Sequence, residues 1–130
     1  MKRRETVNLL RLVISIALVG LAVLIADFYQ TSKNALPSDV TTIREFAGRM
    51  PRPQSAYRCT KDGVTFTVLV GPRAGFPAVP SGNPRYVFGD DGRIADWTID
   101  IGDDSAFIDR WKTATVVADI SVDDALRWLR

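Results

Sequence analysis

The chain has 130 residues, the length of one ordinary domain, and its 46% hydrophobic and 25% charged residues exclude a disordered chain. Four of its 17 basic residues and two of its 15 acidic residues lie before residue 31, so the 13 basic and 13 acidic residues that follow cancel. The excess of positive charge therefore belongs to the N-terminal tip, and we expect no nucleic-acid partner.

Two residue types exclude whole classes of chemistry. The sequence has no His, so catalysis and metal binding by imidazole are excluded. Its single Cys, Cys59, allows neither an intramolecular disulfide nor a thiolate zinc site. The sequence also lacks the motifs of a nucleophile elbow and of a phosphate-binding loop. We therefore expect no cofactor and a protein that is not an enzyme.

A long apolar run lies near the N-terminus. Leu12–Ala26 is uncharged, and its extension to Val7–Tyr29 gives 23 residues, or about 34 Å of helix, against a hydrocarbon core of roughly 30 Å. This run predicts a transmembrane signal anchor that contacts membrane lipid. The predicted segments are a cytoplasmic basic tip (residues 1–11), the signal anchor (12–29), a polar linker (30–36) and an extracytoplasmic domain (37–130).

A cleaved signal peptide is the alternative for this segment, and it would make the protein secreted and soluble. Cleavage needs small residues at positions −3 and −1, but cleavage after Ala26 would place Leu24 at −3, and cleavage after Ala35 would place Lys33 there. An uncleaved anchor is therefore favoured.

Because basic residues precede the run, and Arg and Asp outnumber Lys and Glu, we expect a single-pass protein of a bacterial inner membrane. Its N-terminus would be cytoplasmic and its C-terminal domain extracytoplasmic.

The extracytoplasmic part begins with a short predicted helix. Ser38 or Asp39 can cap its start, and Pro51 and Pro53 end it. The spacing of apolar residues predicts an inner face made of Val40, Ile43, Ala47 and Met50.

The next segment predicts a first β-hairpin with an Asp-Gly turn. A two-residue turn at Asp62-Gly63 places Cys59 opposite Phe66 and Tyr57 opposite Val68. These four side chains then share one apolar face, so we expect Cys59 to be a buried, inert thiol.

A second predicted hairpin turns at Asp91-Gly92, which places Phe88 opposite Ala95 and Tyr86 opposite Trp97. Its buried face is expected to comprise Tyr86, Phe88, Ala95, Trp97, Ile99 and Ile101. Its outer face is expected to comprise Val87, Gly89, Ile94, Asp96, Thr98 and Asp100.

The C-terminal part predicts two helices around one strand. Asp103 or Asp104 can cap the first helix, Thr115–Ala118 is typical of a short buried strand, and Ser121 can cap the last helix. The first helix is expected to turn Phe107, Ile108 and Trp111 inward. The predicted fold class is α+β, in which a transmembrane helix precedes a small domain. There, short helices cover one face of an antiparallel sheet of four or five strands that includes the two Asp-Gly hairpins.

A Gly- and Pro-rich stretch, Gly71–Pro84, separates the two hairpins. It contains three Gly and four Pro, and an irregular stretch of this length is often functional. With the outer face of the second hairpin it is the expected contact surface for a protein partner of unknown identity. The candidate binding residues are Arg73, Phe76, Val79, Asp96, Thr98 and Asp100. The expected function is that of a membrane-anchored binding or assembly protein.

Seven Asp residues within Asp90–Asp109 raise an alternative function. An EF-hand is excluded, because Gly92 at its sixth position would put Val87, Gly89 and Thr98 at ligand positions. The remaining metal-ligand candidates, which are weak, are Asp100, Asp103 and Asp104. An Asp-dependent or metal-assisted hydrolase is therefore the alternative, and the favoured interpretation is that these residues serve as turn residues, helix caps and a solvated face.

Overall fold

The computed structural model describes residues 2–72, 82–102 and 104–128, with only the backbone described for residues 2, 26–33 and 128. These residues form an α+β fold in which a long helix precedes a five-stranded antiparallel sheet and short helices. The helices are α1 (Lys2–Asn34), α2 (Ile43–Arg49), α3 (Ser105–Trp111) and α4 (Val122–Trp128). The strands are β1 (Ser55–Lys61), β2 (Val64–Val70), β3 (Arg85–Gly89), β4 (Ile94–Thr98) and β5 (Thr115–Ile120).

Helix α1 is longer than its apolar run. It has 33 residues, which corresponds to about 50 Å, and it continues to Asn34. Residues 30–34, which belong to the predicted polar linker, therefore prolong the helix. Polar residues do not by themselves end a helix, and the first proline after the apolar run is Pro37.

The C-terminal end of α1 is part of the domain core. The hydroxyl of Tyr86 donates a hydrogen bond to the backbone carbonyl of Asn34, and both residues are buried. The side-chain amide of Asn34 donates to the carbonyl of Pro72 at 3.2 Å. The last carbonyls of a helix have no partner within it, and Tyr86 satisfies one of them. The apolar helix and the domain are therefore directly joined.

Helix α2 begins later than predicted, because its N-cap is Thr42 rather than Ser38 or Asp39. The Thr42 hydroxyl accepts from the backbone N–H of Glu45 at 3.3 Å and donates to its carboxylate at 3.0 Å. Thr41, just before the cap, pairs with the sheet instead of joining the helix, because its carbonyl accepts from the N–H of Ile94 at the start of β4. Of the predicted inner face, Val40 and Ile43 are buried, Met50 is half-buried and Ala47 is exposed.

The strands follow the spatial order β4-β3-β2-β1-β5, and all neighbouring pairs are antiparallel. In the β1–β2 pair, Cys59 lies opposite Phe66 and Tyr57 lies opposite Val68, which is the register that the alternation predicts. The turn residues Asp62-Gly63 have φ angles of +53° and +78°. Positive φ at both positions is what a two-residue turn of this hairpin requires.

The β3–β4 connection differs from the predicted two-residue turn. The N–H of Gly89 donates to the carbonyl of Arg93 at 2.9 Å, so the loop has three residues and ends in Gly92 at positive φ. Phe88 consequently lies opposite Ile94 rather than Ala95. A bulge next to this pair restores the register, so Tyr86 lies opposite Trp97 as predicted. Ala95 is therefore exposed, while Ile94 packs against the core.

Helices cover both faces of the sheet, so the expectation of one covered face is wrong. The predicted apolar face of the β1–β2 hairpin includes Val68, and that of the β3–β4 hairpin includes Tyr86. Val68 lies opposite Val87, and Tyr86 lies opposite Leu69, so these two apolar faces lie on opposite sides of the sheet. The first cluster, under α2 and α4, consists of Val40, Ile43, Phe46, Ala56, Leu69, Tyr86, Phe88 and Ala125. The second cluster, under α3, consists of Cys59, Val68, Val87 and Phe107. Val87 and Thr98, expected on a solvated face, are thus buried.

Strand β5 is an exposed edge strand rather than the predicted buried strand. Val116 is 60% exposed and Val117 is 61% exposed. The strand lies at the end of the sheet, where β1 is its neighbour among the described strands, and the pairing shifts register between Arg58 and Cys59. An irregular edge of this kind disfavours continued pairing with another strand.

The two C-terminal helices begin at predicted caps. Asp104 accepts a hydrogen bond from the backbone N–H of Phe107 at 2.9 Å at the start of α3. Ser121 accepts one from the N–H of Asp124 at 3.1 Å at the start of α4. Both contacts satisfy an N–H group that lacks a partner within its helix, and the two caps are confirmed.

We expect Tyr86→Phe to loosen the end of α1. The substitution keeps the buried ring and removes the donor to Asn34, so the free energy of unfolding should fall by about 1 kcal/mol. Hydrogen exchange of the backbone around Asn34, followed by mass spectrometry on the full chain in lipid nanodiscs, should become faster. Tyr57→Phe is the control, because Tyr57 lies in contact with the second cluster. Equal exchange rates in wild type and Tyr86→Phe would contradict this account.

Candidate functional site

Asp96 joins β4 to α3. Its carboxylate accepts two hydrogen bonds from Arg110, at 2.7 and 3.1 Å, and one from the indole N–H of Trp111 at 2.7 Å. Burial by itself would raise the pKa of Asp96, but the hydrogen bonds from Arg110 and Trp111 outweigh it and hold the pKa below its ordinary value. The Asp96 side chain is 18% exposed, so it fastens α3 to the sheet instead of forming an open contact surface.

Thr98 and Asp100 organise the loop that follows β4. Thr98 is 3% exposed, so it does not lie on a solvated face. One carboxylate oxygen of Asp100 accepts from the N–H of Gly82 at 2.7 Å and from the N–H of Gly102 at 2.9 Å. A Cβ atom on Gly82 would lie 2.8 Å from this oxygen, so the approach requires glycine. Asp100 therefore ties the end of the Gly- and Pro-rich stretch to the second hairpin.

The predicted binding surface is thus only partly described. Arg73, Phe76 and Val79 lie outside the described residues. Asp96 and Thr98 lie in β4 and Asp100 in the loop after it, and their polar atoms are engaged within the domain. The structure therefore does not present these three as a free polar face.

The metal-ligand candidates also have structural partners. Asp100 binds two backbone N–H groups, and Asp104 caps α3. Hydrogen bonds from Thr98 and from the N–H of Phe107 lower the pKa of Asp104. Asp103 lies outside the described residues. Within the described ranges, no three His, Cys, Asp or Glu side chains come close enough to hold a metal ion.

Sequence reasoning missed an apolar cavity of about 220 Å³ between the sheet and α3. We call it the Trp111 pocket. It is lined by Tyr57, Cys59, Val68, Val87, Ile101, Phe107, Ile108, Trp111, Lys112, Ala114 and Val116. Cys59 and Val87 are buried members of its lining, whereas Ile108 and Val116 are exposed. The pocket escaped prediction because Val87 was expected on the outer face and β5 was expected to be buried.

The ionisable groups leave this pocket uncharged inside and positive at its margin. Burial raises the pKa of the Cys59 thiol, so the thiol is protonated at neutral pH. Burial also raises the pKa of Tyr57, against the opposing effect of Arg85. Lys112 is the charged residue of the lining, and the ammonium of Lys61 lies 4.8 Å from the centre of the Trp111 ring.

A wider cavity of about 500 Å³ lies beside α4. It is lined by Arg58, Ile120, Asp124 and Arg127. Arg127 and Asp124 form an ion pair at 3.2 Å, and a guanidinium nitrogen of Arg58 lies 3.7 Å from the carboxylate of Asp90. These carboxylates neutralise the guanidinium charges, so this cavity shows no clear preference for an anion.

Helix α1 is the second candidate functional feature of the described residues. Its segment Arg3–Ile25 has 23 residues and a mean hydropathy of 2.4, and none of its most apolar window is buried in the protein. By length and composition it is the one helix among the described residues that could cross a membrane. A signal sequence would meet the same criteria.

Comparison with known proteins found no match for this chain. The chain matches no protein-family model, no curated protein and no solved structure. Function therefore has to be argued from α1 and the Trp111 pocket themselves.

We expect Asp96→Asn to lower the free energy of unfolding by about 2 kcal/mol at pH 7, because it weakens charged hydrogen bonds to α3. The pKa of Asp96 is lower in the folded chain, so its stabilising effect is complete above the unfolded pKa of about 3.9 and is lost as the pH falls through the folded value. The difference between wild type and variant should therefore shrink below about pH 4.

Denaturant unfolding followed by tryptophan fluorescence measures this difference. Asp109→Asn is the matched control, because Asp109 is exposed on the same helix. A stability difference for Asp96→Asn that stays constant from pH 7 to pH 3 would refute the role assigned to the carboxylate.

Proposed function

We propose that this chain is a single-pass protein of a bacterial inner membrane, with residues 37–130 forming an extracytoplasmic binding domain anchored by α1. The observation that carries the proposal is the exposure of large apolar side chains on every side of α1 up to Ile25. Such a helix is stable in lipid and unstable in water, since burying one large apolar side chain contributes roughly 1.5–3 kcal/mol.

The distribution of these side chains distinguishes a spanning helix from a surface-bound one. At 100° per residue, Leu10 and Leu21 lie on one side of α1, and Leu12 and Val19 lie on the opposite side. Each of these four residues is more than half exposed. An interfacial helix would have one apolar and one polar face, whereas an apolar surface all round favours a span.

The charges near the N-terminus favour one orientation. Lys2, Arg3, Arg4 and Arg11 precede or begin the apolar segment. Cytoplasmic flanks of membrane helices carry an excess of basic residues, so the N-terminus is proposed to be cytoplasmic. The domain that follows α1 then lies on the extracytoplasmic side.

The contacts of Asn34 favour an uncleaved anchor over a signal peptide. Cleavage after Ala35 would remove Asn34 and leave the buried Tyr86 hydroxyl without its acceptor. Cleavage after Ala26 would follow Leu24 at position −3, which is too large.

A binding role for the domain is supported by the Trp111 pocket, because concave apolar sites with few polar groups are the usual form of ligand sites. A protein partner at the stretch of residues 73–83 stays a prediction. Among the described residues of that surface, the polar groups of Asp96 and Asp100 are already engaged. The pocket and its exposed margin are therefore the proposed binding site.

Cysteine labelling tests the proposed topology. In intact cells whose outer membrane has been permeabilised, a membrane-impermeant maleimide should label Ser105→Cys and should label Glu5→Cys only after lysis. Wild type is the background control, because Cys59 is buried.

Three further outcomes would each refute the proposal. They are labelling of Glu5→Cys before lysis, extraction of the full chain by a carbonate wash, and a mature chain whose mass lacks the apolar segment. The last outcome would favour the secreted, soluble alternative.

A further inference from the structure

We propose that the Trp111 pocket binds a small carboxylate amphiphile, meaning a free carboxylic acid with a short alkyl chain or a single aromatic group. This inference deepens the proposed binding function and rests on it. Three properties of the pocket carry it: its volume, its uncharged apolar interior and the sign of the charge at its margin.

The volume sets the size of the apolar group. An apolar cavity of about 150 Å³ accommodates benzene, and sites for drug-sized ligands span roughly 300–1,000 Å³. The Trp111 pocket, with about 220 Å³, lies between these sizes. It therefore accommodates one aromatic ring with a short extension or a short alkyl chain, and it is too small for a whole lipid or a folded peptide.

The lining determines which end of the ligand enters. Aliphatic and aromatic side chains of Val68, Val87 and Phe107 face the cavity, and Cys59 adds a protonated thiol. An ionised carboxylate would lose its hydration there without a charged partner, which is strongly unfavourable. The apolar end of the ligand therefore enters, and the carboxylate stays at the margin.

The charges at the margin favour an anion. Lys112 belongs to the lining, and Lys61 lies against the ring of Trp111. Among the described lining residues there is no acidic side chain. Asp96 approaches Trp111 but is engaged by Arg110 and the indole N–H. A carboxylate beside Lys112 would therefore meet positive charge.

The register of β1 with β5 indicates at which end of the pocket the carboxylate of the ligand lies. Asp119 of β5 lies opposite Tyr57, whereas Thr115 lies opposite Thr60, next to Lys61. The negative charge of Asp119 and the positive charge of Lys61 are thus several residues apart along β1. The carboxylate is accordingly placed at the end with Lys61 and Lys112, away from Asp119.

The experiment uses the full chain in lipid nanodiscs with fluorotryptophan at its three Trp positions. The ¹⁹F resonance of Trp111 is assigned with Trp111→Phe, and octanoate is the probe. Octanol and octylamine have the same alkyl length and control for charge. Trp97 is the internal control for partitioning into lipid, because it packs against the first cluster on the opposite face of the sheet.

Octanoate should shift the Trp111 resonance saturably and leave the Trp97 resonance unchanged. Octanol should bind more weakly, and octylamine most weakly. Lys112→Glu should weaken octanoate binding roughly threefold or more without changing octanol binding. Binding of octylamine as tight as that of octanoate, or an unchanged octanoate affinity in Lys112→Glu, would overturn the proposal.

A pocket-filling variant tests the location. Ala114→Phe adds a ring at the lining and should abolish the saturable shift, whereas Ala106→Phe, at an exposed position of α3, should preserve it. An unchanged Trp97 resonance shows that each variant is folded. Unaltered octanoate binding in folded Ala114→Phe would overturn the proposal. If α1 is not a membrane anchor, the cysteine labelling contradicts the proposed topology while octanoate still shifts the Trp111 resonance. The failure of the anchor and the failure of the pocket are therefore distinguishable.

Discussion

The hydrogen bond from the Tyr86 hydroxyl to the carbonyl of Asn34 links the apolar helix to the core of the domain, and the rest of the arrangement depends on this link. Tyr86 packs edge-on against Phe46 of α2, so the residue that holds α1 also belongs to the first cluster. A polar group at this depth must be paired, because an unpaired hydroxyl would cost about 1–3 kcal/mol. The same residue therefore contacts both the end of α1 and the core of the domain.

The pairing of β2 with β3 gives the sheet an apolar core on both of its faces. Because Leu69 lies opposite Tyr86 and Val68 lies opposite Val87, each pair of strands contributes apolar residues to both sides. Helices α2 and α4 close one side. On the other side lies the seven-residue α3, and the Trp111 pocket lies between this helix and the sheet.

Three acidic residues in the second half of the sequence stabilise this fold. Asp96 fastens α3 through Arg110 and Trp111, Asp104 caps α3, and Asp100 closes the loop after β4. A concentration of carboxylates in a sequence therefore need not indicate catalysis or metal binding. In this protein Asp96 and Asp104 hold α3 in place, and the charged residue among those that line the Trp111 pocket is Lys112.

The sequence by itself determined the features that depend on neighbouring residues. These are the apolar helix, the register of β1 with β2 across Asp62-Gly63, and the caps at Asp104 and Ser121, where the bonded groups lie a few residues apart. Only the tertiary structure decided that α1 continues to Asn34, that Ala95 is bulged outward, that β5 is exposed and that a pocket lies under α3. The bulge at Ala95 follows from the unpredicted three-residue turn between β3 and β4. The others depend on contacts between distant segments, such as Tyr86 with Asn34, and alternation along one strand cannot show which of its faces a distant helix will cover.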